Sequence, residues 1–428
     1  MSKNMNQLSR RLAHLLLLVV FASALVFAAP RNVILMIGDG MGPDVVAAAG
    51  AYKYGADYFK FGGKEKLTLE TLNKHYYMTT FSSSGKGYDF TWNNGDTAYV
   101  KNGATDSAAA ATAIATGVKT NDGYVSVDTD KKPVETITEY ARKMGKKTGV
   151  ITSVYFYDAT PACFSAHNGG RGNAKDISQM MFNETQPDVL MGTGGLGKTP
   201  AETAYTNISK ENWDGVLAGK TGYTYIEDRA DFQQLITKPA PGRILGLVRG
   251  GNPLKPRNAD GKSADPNQPT LKEMTQATLS TLNNPAGFVV MIEGGNIDKI
   301  AHGNNLDGTI GEVLAFDEAI AATIDWIGKN GGWEQNLLII TADHDTGYLN
   351  SVQPTEANKL PLVKWGDDGK GWGGHTNRIV DLYTMGEGSE LFDGYAKKNT
   401  DFLRGTVQVV DNTDIFKVMK ASIPVVEK

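Results

Sequence analysis

Short apolar runs alternate with longer amphipathic stretches along most of the chain. A continuous apolar run over residues 31–37 predicts a central strand that is buried on both faces. Further strands are predicted over residues 148–152, 188–192, 288–292 and 336–340. Helical spacing and weaker apolar runs lie between and after them. The helical stretches span residues 134–143, 271–282 and 311–327, and the weaker runs span 243–247 and 380–385. Repeated strand–helix alternation indicates an α/β fold with a large, mainly parallel central sheet and helices on both faces.

The N-terminal 28 residues do not follow this alternation. Lys3, Arg10 and Arg11 precede an apolar run over 15–29 that ends in small residues, which is typical of a cleaved secretory signal. The apolar run is shorter than the roughly 18–20 residues of a membrane span, which disfavours an uncleaved anchor. A twin-arginine export signal is a weaker alternative. We expect a signal peptide over 1–28 and a single domain over 29–428, with 200–270 as a peripheral elaboration.

The composition argues against nucleic-acid binding and against a disulfide-stabilised fold. The 428 residues carry a net charge of −4, and no basic run stands out after residue 30, which argues against specific nucleic-acid binding. A single cysteine, Cys163, excludes an internal disulfide and is expected to be a small buried residue. The chain therefore reads as an exported globular protein that is stabilised by its core, with bound metal as a further candidate source of stability.

Carboxylates and histidines follow the predicted strands. In open α/β sheets ligands bind beyond the carboxyl ends of the strands. The candidates there are Asp39, Asp158, Glu293, Asp298, His302, Asp343, His344 and, after a glycine loop, His375. Asp298 and His302 share one face of a helical turn. Aspartate with neutral histidine suits zinc, and all-oxygen sites suit magnesium. One such pair would be weak evidence, whereas several at successive strand ends indicate metal binding.

A loop at 103–106 runs into an alanine-rich helix whose first turn holds Ser107. Free backbone N–H groups at a helix start favour an anion. The alternative is that Asp106 or Ser107 only caps the helix. Arg171 offers a planar fork suited to phosphate oxygens, although it could equally form a surface ion pair. Because a divalent metal can hold a serine oxygen as alkoxide, and no Gly-x-Ser-x-Gly elbow surrounds Ser107, the pattern favours phosphoryl transfer over acyl transfer.

At this point the chain resembles the alkaline phosphatase family, from residue 33 to at least 375. The motifs that carry the resemblance are IGDGMG at 37–42, TDSAA at 105–109, DATPA at 158–162, EGGNIDK at 293–299, TADH at 341–344 and GHT at 374–376. The pair Asp158 and Lys299 is similar to the bacterial branch of the family that places magnesium at its third metal site.

The resemblance implies two zinc ions and one magnesium ion per subunit. The implied ligands are Asp298, His302 and His375 for one zinc, Asp39, Asp343 and His344 for the other, and Asp39, Thr160 and Glu293 for magnesium. It further implies that Ser107 is the nucleophile and that Arg171, oriented by Asp106, clamps the phosphate. Asp158 would hold a magnesium-bound water, and Lys299 would reach the phosphate through water.

The implied function is that of an exported alkaline phosphatase, periplasmic or extracellular and without a stable membrane anchor. It would hydrolyse small phosphate monoesters with broad specificity through a phosphoserine and release inorganic phosphate. A homodimer is expected from the family. A phosphodiesterase relative would have a threonine nucleophile and lack the magnesium ligands, and a sulfatase would need a modified residue in a context that Cys163 lacks. A non-catalytic phosphate- or metal-binding protein would have lost a ligand or the serine.

Overall fold

The computed structural model describes residues 30–60, 62–85, 87–90, 97–250, 252–366, 369–401 and 404–424. The expected signal peptide at 1–28 lies outside the described residues. The strands are β1 (Asn32–Gly38), β2 (Lys74–Thr79), β3 (Lys147–Tyr155), β4 (Val189–Gly195), β5 (Tyr223–Ile226), β6 (Arg243–Arg249), β7 (Phe288–Gly294), β8 (Asn336–Ala342), β9 (Asp345–Thr346), β10 (Leu349–Gln353), β11 (Leu362–Trp365), β12 (His375–Thr376), β13 (Val380–Gly386), β14 (Lys397–Asp401) and β15 (Gly405–Asp411).

The α-helices lie between and after these strands. They are α1 (Pro43–Tyr54), α2 (Thr97–Lys101), α3 (Ser107–Thr116), α4 (Ile137–Lys143), α5 (Ala159–Cys163), α6 (Ala174–Asn183), α7 (Lys210–Leu217), α8 (Arg229–Thr237), α9 (Leu271–Leu282), α10 (Asn296–Ala301), α11 (Leu306–Lys329) and α12 (Asn412–Ala421). Short 3-10 helices span Gly55–Phe59, Thr68–Thr71, Glu202–Ala204 and Ser389–Gly394.

Eleven strands form one sheet in the order β14-β15-β2-β13-β8-β1-β7-β3-β4-β6-β5. β13 pairs antiparallel with β2 and β8, and β14 pairs antiparallel with β15. The other neighbouring pairs of this sheet are parallel. The large, mainly parallel sheet expected from the sequence is therefore confirmed.

The central strands are apolar because helices cover both of their faces. Every residue of β1 is buried, as is every residue of β7 and β8. One helix layer contains α8, α9, α11 and α1, and the other contains α3, α5 and α12. A sheet that is covered on both sides buries consecutive residues rather than alternate ones, and this explains the continuous apolar runs.

The predicted strands begin at or within one residue of the expected position, and most of them extend further than predicted. α9 spans Leu271–Leu282 as predicted, because Thr270 and Glu273 form a capping box that defines its start. The helix predicted at 311–327 extends over Leu306–Lys329, with Asn305 as its cap. The sequence patterns did not predict β14, β15 or α12, which form the far edge of the sheet. The single-domain assignment stays a prediction, and 200–270 contributes β5 and β6 at the opposite edge.

Candidate active site

The candidate residues meet at the carboxyl ends of β1, β7 and β8. Gly38, the last residue of β1, is in register with Gly294 of β7 and with Ala342 of β8. Asp39 and Asp343, which come next, therefore leave the sheet side by side. The backbone N–H of Gly40 donates to Asp343 Oδ1 over 3.0 Å, and this hydrogen bond ties the two turns together.

Ser107 is the first residue of α3 and its side chain is almost completely buried. Asp106 is the N-cap, and its Oδ1 accepts a hydrogen bond from Ala109 N over 2.9 Å. Its Oδ2 lies 3.0 Å from Arg171 Nη1. Asp106 thus caps α3 and also orients Arg171. Ser107 Oγ is left to point at the charged cluster, 3.1 Å from His344 Nε2.

The first candidate metal group contains Asp298, His302 and His375. Asp298 lies in α10, and its two oxygens face different histidines. Oδ2 is 3.2 Å from His302 Nε2, and Oδ1 is 3.6 Å from His375 Nε2. One ligand atom from each of the three residues lies within 4.8 Å of the others. Two ring nitrogens and a carboxylate at this separation suit a zinc ion.

A second group surrounds His344. Its Nε2 lies 3.2 Å from Asp343 Oδ2 and 3.6 Å from Asp39 Oδ1. Asp39, His344 and Asp298 also place one ligand atom each within 4.8 Å of one another, so Asp298 stands between the two groups. The rings of His344 and His375 are stacked with centroids 3.7 Å apart. The two groups are therefore adjacent parts of one centre.

All three histidines are held by the nitrogen that faces away from the carboxylates. His302 Nδ1 is 2.6 Å from the carbonyl oxygen of Gly373, and His375 Nδ1 is 2.8 Å from that of Thr105. His344 Nδ1 is 3.2 Å from the hydroxyl of Thr346, which also donates to Asp298 Oδ1 over 2.6 Å. Such contacts fix the ring orientation and leave Nε2 as the ligand atom, which is the usual arrangement in metal sites.

A third, all-oxygen group lies beside β3. Glu293 accepts a hydrogen bond from Thr152, and Thr160 is buried in α5. Within the described residues, four buried oxygens of the centre have no hydrogen-bond partner. They are Asp39 Oδ1, Thr160 Oγ1, Glu293 Oε1 and Asp343 Oδ2. Unpaired buried oxygens are costly, and a bound cation would satisfy them.

The buried carboxylates of the centre lie close together, and this raises their pKa values. Burial, together with the charges of Asp158 and Asp343, raises the pKa of Glu293 to about 8. Burial and the charge of Asp298 raise the pKa of Asp343 to about 7. The pKa of Asp39 is raised well above its ordinary value, first by burial and then by Asp343. The protein's own groups therefore do not neutralise these carboxylates, and divalent cations fit the site.

The cationic side of the site contains Arg171 and Lys299. Arg171 bridges Asp106 and Asp158, with Nη2 3.2 Å from Asp158 Oδ1. Lys299 Nζ lies 3.1 Å from Asp158 Oδ2. Asp158 therefore links the two cations, and both keep about a third of their side chain exposed at the mouth. This arrangement leaves two cations facing incoming anions.

The model of the family described as alkaline phosphatase matches residues 30–391. The chain belongs to the alkaline phosphatase family. The family expected from the motifs is thus confirmed.

The chain matches a different share of the length of each curated relative. Alkaline phosphatase 4 of Bacillus subtilis is 34% identical over 74% of this chain, and the chain spans 62% of that protein. Alkaline phosphatase of Escherichia coli is 31% identical over 92% of this chain and 86% of its own length. The chain therefore covers less than two thirds of the Bacillus protein and most of the Escherichia one.

Solved alkaline phosphatases share the fold. The enzyme from the Antarctic bacterium TAB5 superposes with a TM-score of 0.68 and 23% identity, over 94% of this chain and 100% of that one. A cold-active alkaline phosphatase from a psychrophilic Shewanella gives a TM-score of 0.68 and 25% identity, over 92% and 100%. The α/β fold expected from the alternation of strands and helices is therefore the fold of these solved alkaline phosphatases.

Two threonines of the centre were missed by sequence reasoning. Thr346 holds Asp298 and His344, and Thr152 holds Glu293. Threonine is common in strands and turns, so neither position carried a signal. The two other histidines of the described chain lie elsewhere: His75 contacts Asp381, and His167 contacts Glu139.

Proposed function

We propose that this alkaline phosphatase family member is a metal-dependent phosphomonoesterase that uses Ser107 as its nucleophile. The observation that carries the proposal is the position of Ser107 Oγ, 3.1 Å from His344 Nε2 and at the N-terminus of α3. A phosphoryl group held there would meet the free N–H groups of the helix start and the serine oxygen together. A phosphoserine would form and would then be hydrolysed to inorganic phosphate.

The donor sets support two zinc ions and one magnesium ion. Asp298, His302 and His375 would hold one zinc, and Asp39, Asp343 and His344 would hold the other. Asp39, Thr160 and Glu293, an all-oxygen set, would hold magnesium. When bound, such ions neutralise phosphoryl oxygens and lower the pKa of coordinated hydroxyl groups and water. A variant of the TAB5 enzyme in which a histidine is replaced by glutamate is described with magnesium bound in its M3 site, which supports an acidic magnesium site in this fold.

Phosphate recognition would rest on Arg171 and Lys299. The Arg171 fork is held by Asp106 and Asp158, so it is pre-organised to donate two parallel hydrogen bonds to phosphate oxygens. Lys299 would add a positive charge beside it, and Asp158 would keep both cations in place and hold a magnesium-bound water. Because these groups contact only the phosphoryl part of a substrate, we propose broad specificity for small phosphate monoesters.

Location and assembly are proposed from the N-terminal composition and from the family. The composition of residues 1–28 supports export to the periplasm or the extracellular space. In the part of the chain that the structure describes, no helix combines the length and apolar character needed to cross a membrane. We propose a single catalytic domain over 29–428 and a homodimer, as expected from the family.

One assay tests the proposed activity. The purified protein is incubated with an aryl phosphate monoester, the matching diester and the matching sulfate, before and after treatment with a chelator. We expect rapid hydrolysis of the monoester alone, loss of this activity with chelator, and recovery when zinc and magnesium are added together. Preferred hydrolysis of the diester or the sulfate would assign another activity, and binding without hydrolysis of any ester would make the chain a binding protein.

A further inference from the structure

A second pocket opens at the same end of the sheet as the candidate active site, two strands further along. It has a volume of about 370 Å³ and lies beyond the carboxyl ends of β4 and β6. Its floor is formed by Gly194 and Gly195, and one wall is the ring of Tyr157. Tyr157 directly precedes Asp158, the residue that holds Arg171 and Lys299. The pocket therefore adjoins the phosphate-binding side of the active site.

The shape of this pocket depends on glycine. Gly194 has a φ of +90°, and a Cβ there would lie 3.1 Å from the Tyr157 ring. The tyrosine hydroxyl is held by Asn207 Nδ2 over 2.8 Å, which fixes the ring from the other end. The wall is thus rigid, while the floor presents backbone rather than side chains to a ligand.

The chemistry of the lining favours an anion. Arg249, the last residue of β6, is exposed in the pocket, and Thr203, Thr206 and Asn207 add polar groups. Among the residues that line the pocket there is no carboxylate. The Arg249 side chain lies against the backbone of Gly197, where an added Cβ would be 3.0 Å from its Cδ and Nε atoms. Its guanidinium is therefore positioned by packing on backbone.

The backbone of Arg249 is paired with Gly195 of β4, but its side chain has no ion pair or hydrogen bond with any residue that the structure describes. The carboxylate that approaches the same glycine belongs to Glu227. Glu227 is already engaged, because its Oε2 accepts from the Tyr225 hydroxyl over 2.8 Å and its Oε1 lies 3.9 Å from Lys198 Nζ. An arginine fork at a strand end, without a carboxylate partner, suits the oxygens of a phosphate group.

The spacing between the two sites sets the length of the ligand. Asp158, which holds Arg171 and Lys299, follows the end of β3, and Arg249 is the last residue of β6, two strands away in the sheet. Neighbouring strands lie about 4.8 Å apart, so two strands separate the sites by about 10 Å. One small molecule with an anionic group at each end can span that distance.

We propose that the Arg249 pocket binds a second phosphate group of the substrate, so that bisphosphorylated monoesters are preferred over monophosphorylated ones. This inference rests on the proposed phosphomonoesterase function and adds a substrate class to it. The second phosphate would not react. It would be held by Arg249 while the first is transferred to Ser107.

The test compares hexyl phosphate with hexanediol phosphorylated at both ends. These two esters share the same alkyl chain and differ only in the distal phosphate. We expect the wild-type protein to have a KM for the bisphosphate about tenfold lower than for hexyl phosphate, with similar kcat. Arg249→Gln should remove this preference by raising the KM for the bisphosphate alone, and Arg249→Lys should restore part of it.

A matched control is available at the other end of the same strand. Arg243→Gln removes the same charge from the start of β6, away from the pocket, and should leave the ratio of the two KM values unchanged. Equal KM values for the two esters in the wild-type protein, or a preference that survives Arg249→Gln, would overturn the proposal. Failure to hydrolyse either ester would instead count against the phosphomonoesterase function, so the two failures can be told apart.

Discussion

Two clusters of buried charges follow β8 within three residues of each other, and they are balanced in different ways. The first contains Asp343 and His344 and belongs to the candidate active site. The second is built on Asp345, whose Oδ2 accepts from the Thr376 hydroxyl over 2.6 Å and lies 3.8 Å from Arg378 Nη1. Arg378 also pairs with Asp44 and donates to the carbonyl oxygen of Leu349 over 2.7 Å.

The two clusters differ in the source of the positive charge that balances their carboxylates. In the second cluster the protein's own Arg378 faces two carboxylates, and it is itself fully buried. In the first, no lysine or arginine of the described chain forms an ion pair with Asp39 or Asp343. Unpaired buried carboxylate oxygens occur in both clusters, so the ion pair with Arg378 is what distinguishes them. Buried charge that the chain balances itself stabilises a loop, whereas buried charge left unbalanced indicates a place for an external cation.

The largest expected effect comes from the first cluster. Ser107→Ala removes the proposed nucleophile and should lower kcat by about 10⁴-fold or more. The thermal midpoint should stay close to that of the wild-type protein, because Ser107 contributes little packing. Steady-state hydrolysis of an aryl phosphate and a thermal melt measure the two quantities.

Ser280→Ala is the matched control for this substitution, since that hydroxyl donates to the carbonyl oxygen of Ile236 between α9 and α8, away from both proposed sites. It should retain wild-type turnover. Substantial activity of Ser107→Ala, with a phosphorylated residue elsewhere, would contradict the assignment of the nucleophile.

The second cluster should show its effect in stability. Arg378→Met leaves Asp44 and Asp345 without their buried partner and should lower the free energy of unfolding by about 3–5 kcal/mol. Urea denaturation measures this loss. Lys210→Met, which breaks the exposed pair with Asp214, should leave it nearly unchanged.

If Arg378→Met does not fold, Arg378→Lys keeps the charge and should still lose stability, because lysine cannot reproduce the contacts of the guanidinium fork. Two variants as stable as the wild-type protein would remove the distinction drawn between the clusters.

In the first cluster we expect a substitution to raise the free energy of unfolding, by less than the loss expected for Arg378→Met. In chelated protein at pH 8, Asp343→Asn should raise the free energy of unfolding by about 1–2 kcal/mol, because it removes an uncompensated buried charge. The amide oxygen can still accept from Gly40 N and His344 N. The exposed Asp325→Asn is the control and should have little effect, whereas destabilisation by Asp343→Asn without metal would show that this carboxylate is balanced after all.

The smallest expected effect is a dependence on pH in metal-free protein. The pKa values of Asp343 and Glu293 are raised to about 7 and about 8, so the folded state holds protons that the unfolded state has released. The contribution of these two carboxylates to stability should therefore fall as pH rises from about 4, where they ionise in the unfolded state, to about 8, and should then level. Below about pH 6.5 His344 acts in the opposite sense, because burial lowers its pKa.

Zinc and magnesium should abolish this fall, since they occupy the place of the protons. Urea denaturation at several pH values, with and without the metals, gives both curves. The same slope in both would place the raised pKa values outside the metal-binding centre.

Much of the centre could be predicted because its residues occur in local motifs. Asp39, Asp298 with His302, and Asp343 with His344 each follow an apolar strand or share a helical turn, and both patterns are visible along the chain. The start of α9 is also a local feature, because its capping box joins residues three positions apart. Contacts between residues that are only a few positions apart can be recognised from the sequence alone.

Other features depend on residues far apart in the chain. Thr346 between His344 and Asp298, and Arg249 with Tyr157 around the second pocket, are brought together only by strand order and register. β14 and β15 were missed because they lie at one end of the sheet, are more polar and more exposed, and lack the continuous apolar run of a central strand.

The sequence by itself determined the family, the α/β class and the residues that could carry the chemistry, because hydrophobic period and short motifs are local properties. The tertiary structure decided which buried charges are balanced. Asp343 and Asp345 look alike in the sequence, two positions apart, yet the register that brings β12 against β9 leads the chain on to Arg378 beside only one of them. That choice depends on the free energy of burying charge, which is set by the whole fold around it.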